Sequence, residues 1–426
     1  MKLSKCLVTC LLVLTIVAIS VSAMAADALE IKIWDNNQRA GLQEIADLWT
    51  EKSGIPVNIQ VVTWDEYWTL LEAGATGGQM PDVFWMHSNN AYTYMQYDIL
   101  LDLTDYIARD GVDMSKYYDG ITKLYSLNDH QYALAKDHDT IALIYNKAIF
   151  DKYGVAYPTN DWTWDDYYAA GKAITEAGKA DGIYGAACNT SNDQDGYLNI
   201  IYSYGGYIIN EDHTASSWDN ENTRKAMEFV GKLCSDVWCP QVMVAENGTD
   251  TLFNSGKVAM ITQGSWMINT FYTDDDSANY AWAMLPYADV NGNGQCDEGE
   301  RCTIYNGLGW SASTFTKQPD ACWDLIKWFG SEEMQVKQAE LGVTMAGMPS
   351  VSDAFRNAFP GMNIDAFLDM ETYGTLVFRP YSKSSSRWEE QYHQELVPAW
   401  NDPSLMDGVL TNLAAEMNEI LAAENR

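Results

Sequence analysis

Asp137 and Asp139 stand two residues apart, with Lys136 and His138 between and beside them, at a polar step separating the apolar pieces 132–135 and 141–145. Carboxylates so placed could act as an acid and base pair in glycoside hydrolysis, with Asp82 as an alternative member. They could equally accept hydrogen bonds from the hydroxyls of a bound ligand. Trp85 is followed by His87, Ser88 and Asn89, an aromatic face beside polar groups. That combination suits a pyranose ring, whose apolar face covers an indole while its hydroxyls find partners. A third set is Asp289, Asn291, Asn293, Gln295, Asp297 and Glu300, with Gly294 between them. These match positions 1, 3, 5, 7, 9 and 12 of the twelve-residue calcium loop, with glycine at position 6 and Gln295 contributing its backbone carbonyl. The flanks 280–285 and 303–308 read as strands rather than paired helices, so the expectation is a structural Ca2+ in a hairpin insertion, away from the ligand cleft. The competing reading is a polar hairpin stapled by Cys296 and Cys302. There is no G-x-S-x-G, H-E-x-x-H, phosphate loop or dinucleotide fingerprint.

Two apolar strands joined by a charged step with no turn signal read as a chain leaving one sheet and entering another. Residues 137–140 are therefore an expected hinge, and a hinge borders a cleft, which makes Asp139 a candidate ligand contact. Upstream, alternation over 29–34 gives a strand, 35–39 a polar loop, 42–52 an amphipathic helix closed by Gly54, 57–62 a strand, and Trp64 opens the next helix. This β-α-β-α rhythm predicts a mainly parallel sheet covered on both faces, with ligands at the carboxyl ends of its strands. Residues 81–87 form a third strand running into a loop. Downstream, 159–177 reads as a capped helix whose tryptophans pack, 182–187 as a strand and 189–195 as a polar loop facing the ligand from a second lobe. A buried strand follows at 256–262, and helices at 321–329 and 332–341.

The chain has 426 residues, too many for one ordinary core. With 26 Lys and Arg against 59 Asp and Glu, the formal charge is -33, which argues against nucleic acid or anionic lipid as partners. Residues 1–25 read as a secretory signal: Lys2 and Lys5, an apolar run over 7–21, and Ala23-Met24-Ala25 as a cleavage site. Its removal takes away two lysines and no acid, so the charge becomes -35. No cysteine stands at the cleavage point, so a free rather than lipid-anchored protein is expected. Six cysteines remain, and an even number in an exported chain favours disulfides. The expected pairs are Cys234 with Cys239 and Cys296 with Cys302, leaving Cys188 with Cys322.

The string ALAKDHDTIALIYNKAIFDKYGV from Ala133, with IKIW at 31, MPDVFWMH at 80, WTWDDY at 162, GKVAMITQGSW at 256 and FRPYS at 378, resembles the extracellular solute-binding proteins of sugar ABC importers. The maltose-binding type is the nearest kin. The resemblance implies an α/β, two-lobed periplasmic-binding-protein fold (type II-like) with discontinuous lobes, 26–137 with 265–314 and 138–264 with 315–426. It implies ligand contacts from Asn36, Asn37, Trp64, Trp85, His87, Asp139, Trp266, Trp310 and Arg379. It also implies a periplasmic or secreted monomer that closes on a mono- or oligosaccharide and delivers it to a membrane permease, without enzymatic turnover. Two other functions fit the same residues: polyamine binding through carboxylates and aromatic walls, and glycoside hydrolysis.

Overall fold

The computed structural model describes residues 27–272 and 278–424; the expected signal segment, 1–25, lies outside them. Two sheets organise the molecule. The first holds β1 (Leu29–Ile33), β2 (Val57–Val61), β3 (Val83–Met86), a short strand later named β6, and β12 (Gly309–Ala312), in the order β2-β1-β3-β12-β6. β1 runs parallel to β2 and β3, while β12 is antiparallel to β3. A small hairpin, β4 (Ser126–Leu127) with β5 (His130–Gln131), precedes β6 (Leu134–Ala135). The second sheet has the order β10-β7-β9-β8, from β7 (Ile141–Asn146), β8 (Tyr184–Ala187), β9 (Val258–Gly264) and β10 (Tyr280–Met284). β11 (Cys302–Ile304) pairs in parallel with β13 (Thr375–Val377). All six residues of β7 are buried, as a continuous apolar run covered on both faces requires.

Caps fix where the helices begin. Asp35 accepts from Asn37 N, so the helix Asn36–Ser53 starts directly after β1 instead of the expected polar loop. Thr63 caps Trp64–Gly77, and Thr163 with Asp166 forms a reciprocal capping box on Trp164–Gly178. Trp164 is buried there and Trp162 packs beside the same core, as read from the sequence.

The first crossing lies where the hinge was expected, between β6 and β7. The other two differ from the expected boundaries at 265 and 315. β10 pairs antiparallel with β7, so residues 265–284 stay in the second lobe, and the chain returns to the first sheet only between β11 and β12. The helix Pro319–Gly330 then packs against the first sheet's core, through Cys322, Trp323, Ile326 and Phe329. Between Met334 and Val351 the chain serves both lobes: Met334, Val343, Met348 and Val351 join first-lobe clusters, while Ala339 and Met345 join a second-lobe one; from Phe355 onward the fully buried apolar residues pack on the second lobe.

All six cysteines are free thiols. The pairing of Cys188 with Cys322 is excluded by topology, because Cys188 belongs to the second lobe's core and Cys322 to the first's. Cys234 with Cys239 and Cys296 with Cys302 are not bonded either. Among the described residues no helix is long and apolar enough to cross a membrane.

Candidate functional site

The carboxyl ends of β1, β3, β6 and β9 converge on the space between the lobes, where a polar compartment of about 460 Å3 opens. β1 delivers Trp34 and Asp35, β3 delivers His87, the hinge delivers Asp137 and Asp139, and β9 delivers Trp266. From the second lobe come the loop 189–194, Arg379, and Glu389 and His393 one turn apart on the helix Ser385–Glu395.

Three tryptophans face this space. Trp34 and Trp64 meet edge to face at 5.0 Å, and Trp64 stands 5.4 Å from the His87 ring. Trp266 faces them from the other lobe, and its ring folds back over Gly264 so closely that a Cβ there would meet it at 1.8 Å. Only glycine at 264 therefore permits this ring position. Trp64 is 39% exposed, an open aromatic face in a cleft.

The hinge carboxylates are held tightly. Asp137 accepts from Lys136 Nζ at 2.5 Å and from Leu308 N at 2.6 Å, and Lys136 also reaches Gln38 Oε1 at 2.7 Å. Asp139 accepts from Ser265 Oγ at 2.8 Å. Burial, with the Asp137 charge beside it, pushes the Asp139 carboxyl well above the usual carboxylate range. In the second lobe, buried Asp193 accepts from Arg379 Nη2 at 3.2 Å, from His393 Nε2 at 2.8 Å and from the Tyr392 hydroxyl. Burial opposes its charge, but the His393 hydrogen bond and the two cations outweigh that and lower its pKa. Burial also opposes the charge on His393, but the hydrogen bond to Asp193 together with the charges of Asp193 and Glu389 outweighs it, so the His393 pKa rises. His87 is pushed down to about 3 by burial and by the Arg379 charge, so it is neutral. Glu389 is raised by burial, against the pull of Arg379.

Several buried polar atoms here lack a protein partner among the described residues: Asn89 Oδ1, Asn306 Oδ1, Gln194 Nε2 and Arg379 Nε. Two accept and two donate. A buried polar group left unpaired is costly, and a hydroxyl, which both donates and accepts, answers either kind.

Of the residues read from sequence, Trp64, His87, Asp139, Trp266 and Arg379 line the compartment. Trp85 and Trp310 do not. They stand opposite each other in the β3–β12 register, both fully buried, with Trp310 stacked on Phe329 at 4.4 Å. Trp85 is walled in by Trp34, Trp310 and Lys136 Nζ, which lies 4.6 Å over its ring. It is therefore a core residue, since β3 is covered on both faces. Asn36 and Asn37 also miss the compartment, because the early cap places them in the first helical turn. Asn37 Nδ2 instead approaches Thr270 Oγ1 of the second lobe at 3.4 Å. Missing from the sequence reading were Trp34, Glu389 and His393; Trp34 had a signal, since it directly follows an alternating strand and precedes a capping Asp.

The loop 289–300 lies away from this compartment and hydrogen-bonds within itself. Asp289 accepts from Asn293 N and Gly294 N, and Glu300 from Val290 N and Asp297 N. Among the described residues no three His, Cys, Asp or Glu side chains are grouped to hold a metal.

The family model for bacterial extracellular solute-binding proteins matches residues 34–336, which include the first sheet apart from β1, the hinge and the tryptophan wall. The chain belongs to that family. This solute-binding protein is 21% identical over 316 residues to a galactooligosaccharide-binding protein of Bacillus subtilis, covering 71% of this chain and 69% of the relative. It is 22% identical over 336 residues to a maltotriose-binding protein of Pyrococcus abyssi, covering 77% and 68%. Its fold matches an ABC substrate-binding protein of Listeria monocytogenes in complex with cycloalternan, with TM-score 0.83, 22% identity, and 93% and 99% of the two chains covered. A maltose-bound protein of T. maritima aligns with TM-score 0.78 at 18% identity, over 93% and 100%.

Proposed function

We propose that this chain is the carbohydrate-binding component of an ABC importer. It closes its lobes on a sugar without turning it over and presents it, as a periplasmic or secreted monomer, to a membrane permease. The observation that carries this reading is the mixed set of unpartnered donors and acceptors, on Asn89, Gln194, Asn306 and Arg379, beside the open face of Trp64. Charge supports a neutral ligand over a polyamine. Asp137 is paired with Lys136, and Asp193 with Arg379 and His393. Asp35 caps a helix, and Asp139 and Glu389 are shifted toward their neutral forms. Each carboxylate lining the compartment thus already has a protein partner or is shifted toward its neutral form, which weighs against pairing with an incoming ammonium. Hydrolysis is disfavoured by the same engagement, since the hinge carboxylates are locked by Lys136, Leu308 and Ser265. A thermal-shift screen against neutral sugars and polyamines tests the reading, with reducing-end formation followed on the oligosaccharides. Stabilisation by polyamines alone, or steady release of new reducing ends, would overturn it.

The spacing of Asp289, Asn291, Asn293, Gln295, Asp297 and Glu300 supports a second, structural proposal: this loop takes Ca2+, with asparagine oxygens and a backbone carbonyl completing the shell. Thermal unfolding with calcium or a chelator tests it.

A further inference from the structure

The polar compartment is not the whole of the space between the lobes. A second cavity of about 1080 Å3, more than twice the volume of the first, adjoins it, and Arg379 lines both. Ser88 in the larger cavity is the chain neighbour of His87 and Asn89 in the smaller. Aromatic rings recur along its walls. Tyr92 and Tyr118 come from the first lobe, and Tyr202, Tyr207 and Tyr381 from the second. Tyr381 lies between Tyr92, across the cleft at 5.8 Å, and His213 at 4.3 Å, each ring tilted by little more than 30°. Tyr207 is 54% exposed, and Phe378 and Tyr381 are 41% exposed each. Such apolar area facing water is unfavourable at about 25 cal/mol per Å2 until something covers it.

The polar side chains interspersed with these rings, Ser88, Asp119, Lys123, Ser126, Asn210 and Glu211, decide what that something is. An acyl chain would leave them without partners, and a polyamine would meet the cations of Arg379 and Lys123 in the same walls, the latter already paired with Asp119 at 2.6 Å. A run of pyranose rings has both an apolar face and an edge of hydroxyls. Resting on the carbohydrate reading of the polar compartment, we infer that this groove is the continuation of the binding site. The ligand is an oligosaccharide that passes Arg379, and Tyr92, Tyr207 and Tyr381 select for its length. Because Tyr92 and Tyr381 belong to different lobes, a chain lying here touches both, and each added unit favours the closed arrangement.

The test is calorimetry on the full chain with two series of probes: glucose, maltose, maltotriose and maltopentaose, and galactose with its β-1,4-linked oligomers to the tetramer. In one series affinity should rise about tenfold or more between monomer and longest member, one tenfold step being about 1.4 kcal/mol. Tyr381→Ala and Tyr207→Ala should erase that rise while leaving monomer affinity unchanged, and Tyr381→Phe, which keeps the ring, should retain it. Unfolding midpoints of the variants show that each is folded. Affinity independent of length, or variants that weaken monomer and oligomer equally, would overturn the inference while leaving the polar compartment as a sugar site. No binding of either series would overturn the carbohydrate reading and this inference together.

Discussion

Replacing Asp193 with Asn keeps its shape and removes its charge, which exposes how the second lobe holds its face of the cleft. The carboxylate is almost fully buried and accepts from Arg379, Tyr392 and His393 at once. Asn can still accept, but Arg379 is left with Glu389 at 3.4 Å, a group itself shifted toward its neutral form. Breaking a buried pair so that one charge stays uncompensated costs about 3 to 5 kcal/mol. The variant should lose stability in that range, and sugar affinity with it as Arg379 moves. The pH profile follows from the two shifts. The Asp193 pKa is lowered, so its contribution is present above the ordinary Asp value of about 4 and fades as pH falls through the lowered value. The His393 pKa is raised, so its contribution is complete below about 6.5 and is lost as pH rises through the raised value. The difference between wild type and Asp193→Asn should therefore be greatest from about pH 4 to 6.5 and shrink on both sides. Urea midpoints by tryptophan fluorescence across this range provide the assay. A variant with an unchanged midpoint, or one displaced equally at every pH, would refute the network.

Trp85→Ala should destabilise by about 3 to 5 kcal/mol, as large-to-small core changes do, whereas Trp64→Ala should leave stability nearly unchanged and weaken sugar binding by about 1.5 to 3 kcal/mol; paired melting and calorimetry separate the two roles. Gly264→Ala should displace the Trp266 ring and lower affinity in a protein that remains folded, a change read from fluorescence titration. Asp139→Asn should match or exceed wild-type stability above neutral pH. The carboxyl, with its raised pKa, favours folding at low pH and loses that advantage as pH rises through the raised value, so a variant less stable at pH 8 would contradict this. Calcium should raise the melting temperature and Glu300→Gln should abolish the effect; indifference to millimolar calcium would remove the metal from the account.

The hinge and the strands were legible because they are local: β7 is one unbroken apolar run, and the charged step before it has no turn signal. The lobe boundaries were not, since β10 pairs with β7 across more than 130 residues of chain and nothing in 280–284 names its partner. Trp85 misled because a short central strand gives no alternation from which to tell a wall of the cleft from the core. Asn36 and Asn37 misled for the opposite reason: Asp35 followed by an amphipathic run is a readable cap, and the loop reading passed over it. Glu389 and His393 reach the site only because Asp193, some 200 residues away, binds the same face of their helix. No spacing in the sequence carries that.

A crystal structure with the tightest-binding oligosaccharide of the screen tests the central claim most directly. The account places a pyranose ring over Trp64 and Trp266, with hydroxyls on Arg379 Nε and Asn306 Oδ1, and the rest of the chain along Tyr207 and Tyr381. A sugar bound outside the interlobe space, or one that left those atoms unpaired, would contradict it.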